Sequence, residues 1–384
     1  MTHVKRSCPI CSDFNAMVLH QNVIEPFDEL DLSYTLSRCD SCGFHYASYL
    51  PEEQQYFRYY SEFSKYDSQG SVSPLDRQRI NAAVGFIAKQ SIAKDSRICD
   101  LGCGFGALLA AFRDAGWVNL VGLDPAPRSA VQAKEQFGLD TVYQGDLQQS
   151  SERVDLTQVD LICLMAVLEH LPALKRDLEF LIGQLRPSTK LLVEVPALEL
   201  FQPGAGEPYG ELSLEHIQFF SRQSLRNLFH GLGASVVAEE LVPLQALHSG
   251  SLFALVVINP DQKPEVGITE DGRIMDAYLQ GSAIRWAKAL ERVPKSPFSL
   301  YGAGSHSARL LPMLTPSQRS QLVAVFDGNR NLHGKTIGPW PIHSPAALAE
   351  YTDFPVLVSS YHSEQAIVND LSGKFHNGFI QMYR

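Results

Sequence analysis

The 384-residue chain has no run rich in lysine and arginine, and its 32 basic residues are outnumbered by 42 acidic ones, for a formal charge of −10. That balance excludes a broad nucleic-acid-binding face, which needs a basic surface to displace counterions. Long apolar runs are missing too: the longest, such as Leu161 to Leu168, fall far short of the roughly 20 residues a membrane-spanning helix needs. The amino-terminal stretch lacks the apolar core of a signal peptide, so a cytoplasmic protein with no membrane or nucleic-acid partner is expected. Cysteine is scarce. Seven in so long a chain do not make a disulfide framework, and four of them are paired in a way that suits metal in a reducing compartment. The apolar content is ordinary, at 45%, and the length allows two or three domains with real cores.

The four paired cysteines are Cys8-Pro9-Ile10-Cys11 and Cys39-Asp40-Ser41-Cys42-Gly43. Two Cys-x-x-Cys knuckles can present four thiolates to one tetrahedral zinc, and a sphere closed by four protein ligands is structural, with no position left for substrate. Beyond them lies an aromatic connector, Tyr56-Phe57-Arg58-Tyr59-Tyr60 to Phe63-Ser64-Lys65-Tyr66-Asp67, ending in Gly70-Ser71-Val72-Ser73-Pro74. It has two readings: packing of the zinc module onto its neighbour, or a lid whose phenols, Tyr59 and Tyr66, reach substrate, since tyrosine carries a polar tip on a rigid apolar body. Ser73-Pro74 then starts a helix through Ile80, Val84 and Ile87, with proline where its missing N–H costs little.

The rest of the chain is organised around Arg97-Ile98-Cys99-Asp100-Leu101-Gly102-Cys103-Gly104-Phe105-Gly106, which reads as strand, tight turn and helix start. An acid before the turn suits a cationic or zwitterionic ligand and would repel a pyrophosphate. Leu120 to Asp124, followed by Pro125, is a second strand ending in an acid, at the distance where nucleotide-binding α/β folds place a carboxylate on ribose hydroxyls. Thr141-Val142-Tyr143, Leu161 to Met165 and Lys190 to Pro196 continue the strand series. Five strands alternating with helices make a doubly wound Rossmann-like sheet that binds ligand at its carboxyl edge.

The Asp-x-Gly-x-Gly-x-Gly spacing resembles the first motif of class I S-adenosylmethionine (SAM) dependent methyltransferases. The resemblance implies SAM held by Asp100, Gly102, Gly104, Gly106, Asp124 and Pro125, with Asp146 by the adenine amino group, Leu147 against the ring and Met165 at the strand end that faces the sulfonium.

Farther on, Glu215-His216-Ile217-Gln218-Phe219-Phe220-Ser221 has no part in holding SAM. Ser221 can cap the following helix. An imidazole can accept a proton at neutral pH, and a neighbouring carboxylate can orient it, although adjacent residues can equally form a structural clasp. Zinc knuckles, aromatic connector, SAM core and this element together resemble the three-domain, zinc-containing C-methyltransferases of nucleotide-linked keto sugars. That family implies a base at His216 supported by Glu215, with His170 a second candidate near the methyl donor, and an enolate that attacks the SAM methyl. Two departures stand out: Ser213 replaces a tyrosine two positions before the glutamate, and His248-Ser249-Gly250-Ser251-Leu252-Phe253 keeps only the outline of a His-Gly-Gly-Ser-Leu-Arg run. Methylation on carbon, oxygen or nitrogen therefore stays open, with O- or N-methylation of another small metabolite the alternative. His248 joins Tyr59 and Tyr66 as a substrate contact.

After the linker Asn259 to Pro264 the α/β pattern restarts: a helix through Met275, Tyr278 and Trp286, a strand Phe298 to Tyr301, then Gly302-Ala303-Gly304-Ser305-His306-Ser307. This second Rossmann-like unit could take NAD, as in an oxidoreductase, with Asp327 on the ribose, but Ser307 stands where the third fingerprint glycine is expected. The favoured reading is a cap that grips the substrate's tail. The expected layout is a zinc module with connector over 1–70, a SAM domain over 71–260 and a substrate-anchoring domain over 261–384, acting on a small molecule as a monomer or homodimer.

Overall fold

A computed structural model describes residues 3–62, 72–244, 249–259, 266–269 and 271–384. Tyr66 and His248 lie outside the described residues. The chain builds three sheets in sequence order. The first contains β1 (Val4–Lys5), β2 (Ala16–Asn22), β3 (Tyr34–Cys39) and β4 (His45–Leu50), and α1 (Glu53–Glu62) follows it. The connector read from its aromatic content is thus helical over these residues. Next, α2 (Pro74–Ala88) starts as its sequence indicates: the Ser73 hydroxyl accepts from Asp76 N, and proline occupies the first turn.

The central sheet uses β5 (Arg97–Leu101), β6 (Asn119–Asp124), β7 (Val142–Gln144), β8 (Leu161–Met165) and β9 (Lys190–Pro196), all parallel. Between them run α3 (Ala107–Asp114), α4 (Ser129–Phe137), the single turn α5 (Ser150–Arg153) and α6 (Leu174–Ile182). The middle strands are buried on both faces, which is why β8 reads as an unbroken apolar run. Then come β10 (Gln218–Phe219), α7 (Arg222–Gly231), β11 (Ala234–Leu244) and β12 (Ser249–Ile258). Ser221 and Ser224 close a reciprocal capping box at the start of α7.

The sheet order is β11-β12-β9-β8-β5-β6-β7, with β12 antiparallel to both neighbours. The sheet therefore extends past the five expected strands by an antiparallel pair. The Ser249-Gly250-Ser251 stretch, read from sequence as part of a substrate-contact motif, is the start of buried β12. Its alternation is hidden because both faces are covered.

The third sheet is built from β13 (Phe298–Tyr301), β14 (Leu322–Phe326), β15 (Thr336–Ile337), β16 (Trp340–His343), β17 (Val356–Val358) and β18 (Phe379–Gln381), in the order β15-β16-β14-β13-β17-β18. Helices α8 (Gly272–Leu290), α9 (Ser305–Met313), α10 (Pro316–Gln321) and α11 (Glu364–Ser372) accompany it. Helix α8 lies tight against the 203 loop: a Cβ on Gly281 would sit 1.8 Å from the Pro203 carbonyl oxygen, so only glycine permits this approach.

These sheets share cores. Cys8, Cys39, Cys42, Phe44 and Tyr46 pack in one apolar cluster with Leu164, Leu168 and Phe220 of the central unit. Arg6 fastens the joint, donating to Ala47 O at 2.6 Å and Pro172 O at 2.8 Å. Strand β10 pairs with β4, so the segment carrying Glu215 and His216 is strung between the amino-terminal sheet and the central one.

Candidate functional site

Two glycine turns face the same space. In the first, Gly102, Gly104 and Gly106 all have positive φ, of 80°, 52° and 81°, conformations that a side chain would strain. A Cβ on Gly102 would also meet the Val167 side chain at 2.8 Å. The Asp124 carboxylate clasps this turn, accepting from Gly104 N at 2.7 Å, Ala126 N at 2.9 Å and the Ser129 hydroxyl at 2.8 Å. The second turn repeats the device: Asp327 accepts from Ala303 N at 2.6 Å and Asn329 N at 2.6 Å.

Between the turns lies a cavity of about 1070 Å³. Ligand sites usually hold roughly 300–1,000 Å³, so the space suits a cofactor together with an acceptor. Of the residues expected to hold SAM, Gly102, Asp124, Pro125, Asp146, Leu147 and Met165 lie in its wall. Asp100, Gly104 and Gly106 are not part of that wall. Gly106 is the N-cap of α3, and Gly104 spends its N–H on Asp124. Asp100 is 2% exposed and its Oδ1 has no hydrogen-bond partner among the described residues. Burial, and then Asp124, push its carboxyl up to about 8. A buried acid with an unmet oxygen behind a glycine turn suits a ligand that brings positive charge, as SAM does. The wall beyond Met165 turns at Ala166, whose φ of 52° is unusual for a residue with a side chain.

Opposite this half, three separate stretches meet. The Tyr59 hydroxyl, on α1, donates to Glu215 Oε1 at 2.7 Å. His170 approaches from the turn after β8, with its Nδ1 3.2 Å from the Glu215 carbonyl oxygen. A carbonyl only accepts, so that contact places the proton on Nδ1 and leaves Nε2 as the basic nitrogen of the neutral ring. The His170 and His216 rings stand edge to face, 5.0 Å between centroids. Ser213 sits at the position where the resembling family has tyrosine. Its hydroxyl oxygen accepts from Glu215 N at 3.2 Å and His216 N at 3.0 Å, so the serine shapes the turn that presents the pair. Tyr59, His170, Glu215 and His216 all line the cavity. Tyr59 is thus half-buried, packed on the core and bonded to Glu215 in the cavity wall.

Sequence reasoning missed several wall residues. Glu194, fully buried on β9, is held by Arg79 and by the Ser251 hydroxyl. An acid inside the apolar run Leu191 to Val195 was the available signal. Glu169, 1% exposed, has no hydrogen-bond partner at either oxygen among the described residues, and His170 Nε2 lies 3.7 Å from its Oε1. Burial, then Glu194, raise its carboxyl.

In the unfolded chain such acids titrate near 4, so between there and about pH 8 the folded state binds more protons. The stability these groups contribute is intact below the unfolded value and is lost as pH rises through the folded one, by at most about 1.4 kcal/mol per pH unit and group. Glu169→Gln is expected to raise stability relative to the parent progressively from pH 5 to pH 8 in urea unfolding. A pH-independent difference would rule out a protonated Glu169.

The four amino-terminal thiols also converge. Ligand atoms of Cys8, Cys11, Cys39 and Cys42 all lie within 4.8 Å of one another, with Sγ–Sγ distances of 3.6 Å for Cys8–Cys42 and 3.4 Å for Cys11–Cys39. With Zn–S bonds of about 2.3 Å, a tetrahedral site needs similar separations, so the set fits zinc.

Residues 75–239 match a protein family described as a methyltransferase domain. Among solved structures, a magnesium protoporphyrin IX methyltransferase from Synechocystis PCC 6803 with bound SAM aligns at 15% identity. The alignment covers 55% of this chain and 98% of that one, with a TM-score of 0.39. A 1,6-didemethyltoxoflavin-N1-methyltransferase from Burkholderia thailandensis, with bound 1,6-didemethyltoxoflavin and S-adenosylhomocysteine, aligns at 15% identity over 59% of this chain and 96% of that one, TM-score 0.43. No curated protein matches the chain. The chain carries a methyltransferase domain over residues 75–239 and is a methyltransferase.

Proposed function

We propose that this methyltransferase uses SAM to methylate a nucleotide-linked keto sugar on the carbon beside its carbonyl. The observation that carries the reading is the Tyr59–Glu215–His170–His216 cluster, set in the wall of the cavity that also holds Asp124 and Met165. Asp124, Asp146, Leu147 and Met165, with Asp100 behind, would hold SAM, which supplies an electrophilic methyl when bound. His216 takes the proton from the carbon next to the carbonyl. Glu215, fixed by the Tyr59 phenol, orients the site and favours the imidazolium that results. His170 is the second base within reach. A general base of this kind contributes about 10²–10⁴-fold to rate.

Zinc on Cys8, Cys11, Cys39 and Cys42 would act as a structural crosslink in this reading. The 1–70, 71–260 and 261–384 regions then serve as zinc module, SAM domain and substrate-anchoring domain. O- or N-methylation is the second reading, favoured by Ser213, which offers no phenol to the acceptor.

The test is incubation with SAM and nucleotide-linked keto sugars in D₂O. Gain of one methyl, together with deuterium exchange of the acidic C–H in the absence of SAM, is the expected result. Methyl gain without exchange would turn the assignment to oxygen or nitrogen, and no methylated product from any such sugar would remove the sugar assignment.

A further inference from the structure

Both carboxyl oxygens of Glu169 are buried without a hydrogen-bond partner among the described residues, and the residue is 1% exposed. Neither protonation state satisfies it: an ionised carboxylate has lone pairs to fill, and a neutral one also has a proton to donate. A buried polar group left unmet in a native fold calls for a partner, and an ion is one of the few that fit.

Two imidazoles share the place. His170 Nε2 lies 3.7 Å from Glu169 Oε1, and ligand atoms of Glu169, His170 and His216 all fall within 4.8 Å of one another. Zn–N and Zn–O bonds of about 2.0–2.2 Å hold tetrahedral ligand atoms about 3.4 Å apart. The first pair is therefore already spaced for a shared ion, and rotation of the His216 ring closes the third edge. His170 is also oriented as a ligand. Its Nδ1 donates to the Glu215 carbonyl oxygen at 3.2 Å, which leaves Nε2 as the basic nitrogen on the Glu169 side. Metal-bound histidines are held in this way, with the far nitrogen donating to a carbonyl or carboxylate.

The backbone fixes these side chains relative to one another. Glu169 and His170 occupy the turn Leu168–His170 that follows β8, and His216 lies just ahead of β10. Ile217 N donates to Glu169 O at 2.9 Å and Gln218 Nε2 donates to Leu171 O at 2.9 Å, so two bonds tie the stretches that carry the cluster. Charge favours a cation there too. Glu194 and Glu215 crowd Glu169 with like charge, and Arg79, which opposes them, is engaged by Glu194. All three side chains line the large cavity, so an ion reaches them through it and keeps coordination positions open beyond three protein ligands.

We infer that Glu169, His170 and His216 bind one divalent transition-metal ion, such as Ni²⁺, Co²⁺ or Zn²⁺, in the wall of the large cavity. Two imidazoles and a carboxylate favour these ions over Mg²⁺ or Ca²⁺, which prefer oxygen ligands. The site is separate from the four amino-terminal thiols. A nitrogen that ligates a metal has no lone pair left for a proton, so an occupied site silences His216 and His170 as bases and the ion inhibits methyl transfer. That consequence rests on the reading of His216 as the base; metal binding itself does not.

The test is calorimetric titration of Ni²⁺ at about pH 8 into the full chain, free of any purification tag, and into its Glu169→Gln and His216→Ala variants. Tm and SAM affinity serve as folding controls, two variants are used so that failure of one to fold leaves the other, and native mass spectrometry counts nickel and zinc on each. Saturable binding of one Ni²⁺ alongside retained zinc is expected in the parent. Its affinity falls at least about 100-fold in either variant, since loss even of a group that only supports a ligand costs about 10–100-fold. In a methyl-transfer assay, Ni²⁺ inhibits the parent over the concentrations at which it binds, and Glu169→Gln needs at least about 10-fold more for the same inhibition. Nickel binding with undiminished transfer bears the site out and instead removes His216 and His170 as bases. No saturable nickel binding alongside zinc, or equal affinity in parent and folded variants, overturns the inference whether or not a sugar acceptor is found.

Discussion

Replacing His216 by alanine is expected to lower the methyl-transfer rate by about 10²–10⁴-fold while leaving SAM affinity within about twofold, because general-base catalysis contributes in that range. The separation of effects follows from the layout. His216 stands in the cavity wall on the turn held by Ser213, whereas Asp124, Asp146 and Met165 come from the carboxyl edge of the central sheet. His170→Ala is expected to lower the rate too, and the double variant to lose less than the product of the two, since the rings are 5.0 Å apart and act as one unit. Single-turnover rates with SAM binding measured separately decide the matter. An unchanged rate in His216→Ala would remove it from the chemistry, and a parallel loss of SAM affinity would make it a structural clasp.

Replacing Cys39 by serine is the second large effect. Structural zinc contributes apparent binding free energies of about 10–16 kcal/mol in isolated zinc-finger peptides. Here the knuckles share an apolar core with the central unit, so part of their order survives without metal. We expect loss of bound zinc by native mass spectrometry, a destabilisation of at least about 3 kcal/mol, and a fall in activity larger than the fall in SAM affinity. The last point follows from the pairing of β4 with β10: loosening the amino-terminal sheet loosens the strand just after Glu215 and His216. Full metal content with an unaltered unfolding transition would show that the four thiols serve packing alone.

The two predictions lie on different links between sequence and function. The paired cysteines are a local signal, since two residues separate the thiols of each knuckle and the turn does the rest. The knuckles also turn out to brace the segment that carries Glu215 and His216. Arg6, two residues before Cys8, reaches Ile217 O at 3.1 Å and Gln218 Oε1 at 3.2 Å. A half-buried arginine spent on carbonyls from three stretches of chain shows no periodic signature, so that role was not legible beforehand.

Where a signal is short-range, the sequence carried it. The glycine turn, the acids at the ends of β5 and β6, the serine caps of α2 and α7, and the restart of the α/β pattern near Met275 each depend on a few neighbouring residues and their dihedral needs. Strand β12 escaped notice because a strand covered on both faces loses the period-two pattern that identifies it.

By itself, the sequence determined the local features of the proposed donor side: a carboxylate ahead of three alternating glycines, with further acids at the following strand ends, and four thiols at knuckle spacing. Only the tertiary structure decided which distant residues meet across the cavity. Tyr59 and Glu215, 156 residues apart, meet at 2.7 Å, and His170 reaches the Glu215 carbonyl oxygen, 45 residues on, at 3.2 Å. The reason is physical. A turn or cap is specified by bonds among near neighbours, whereas a contact between distant stretches depends on how whole sheets pack, and no local residue pattern encodes that packing.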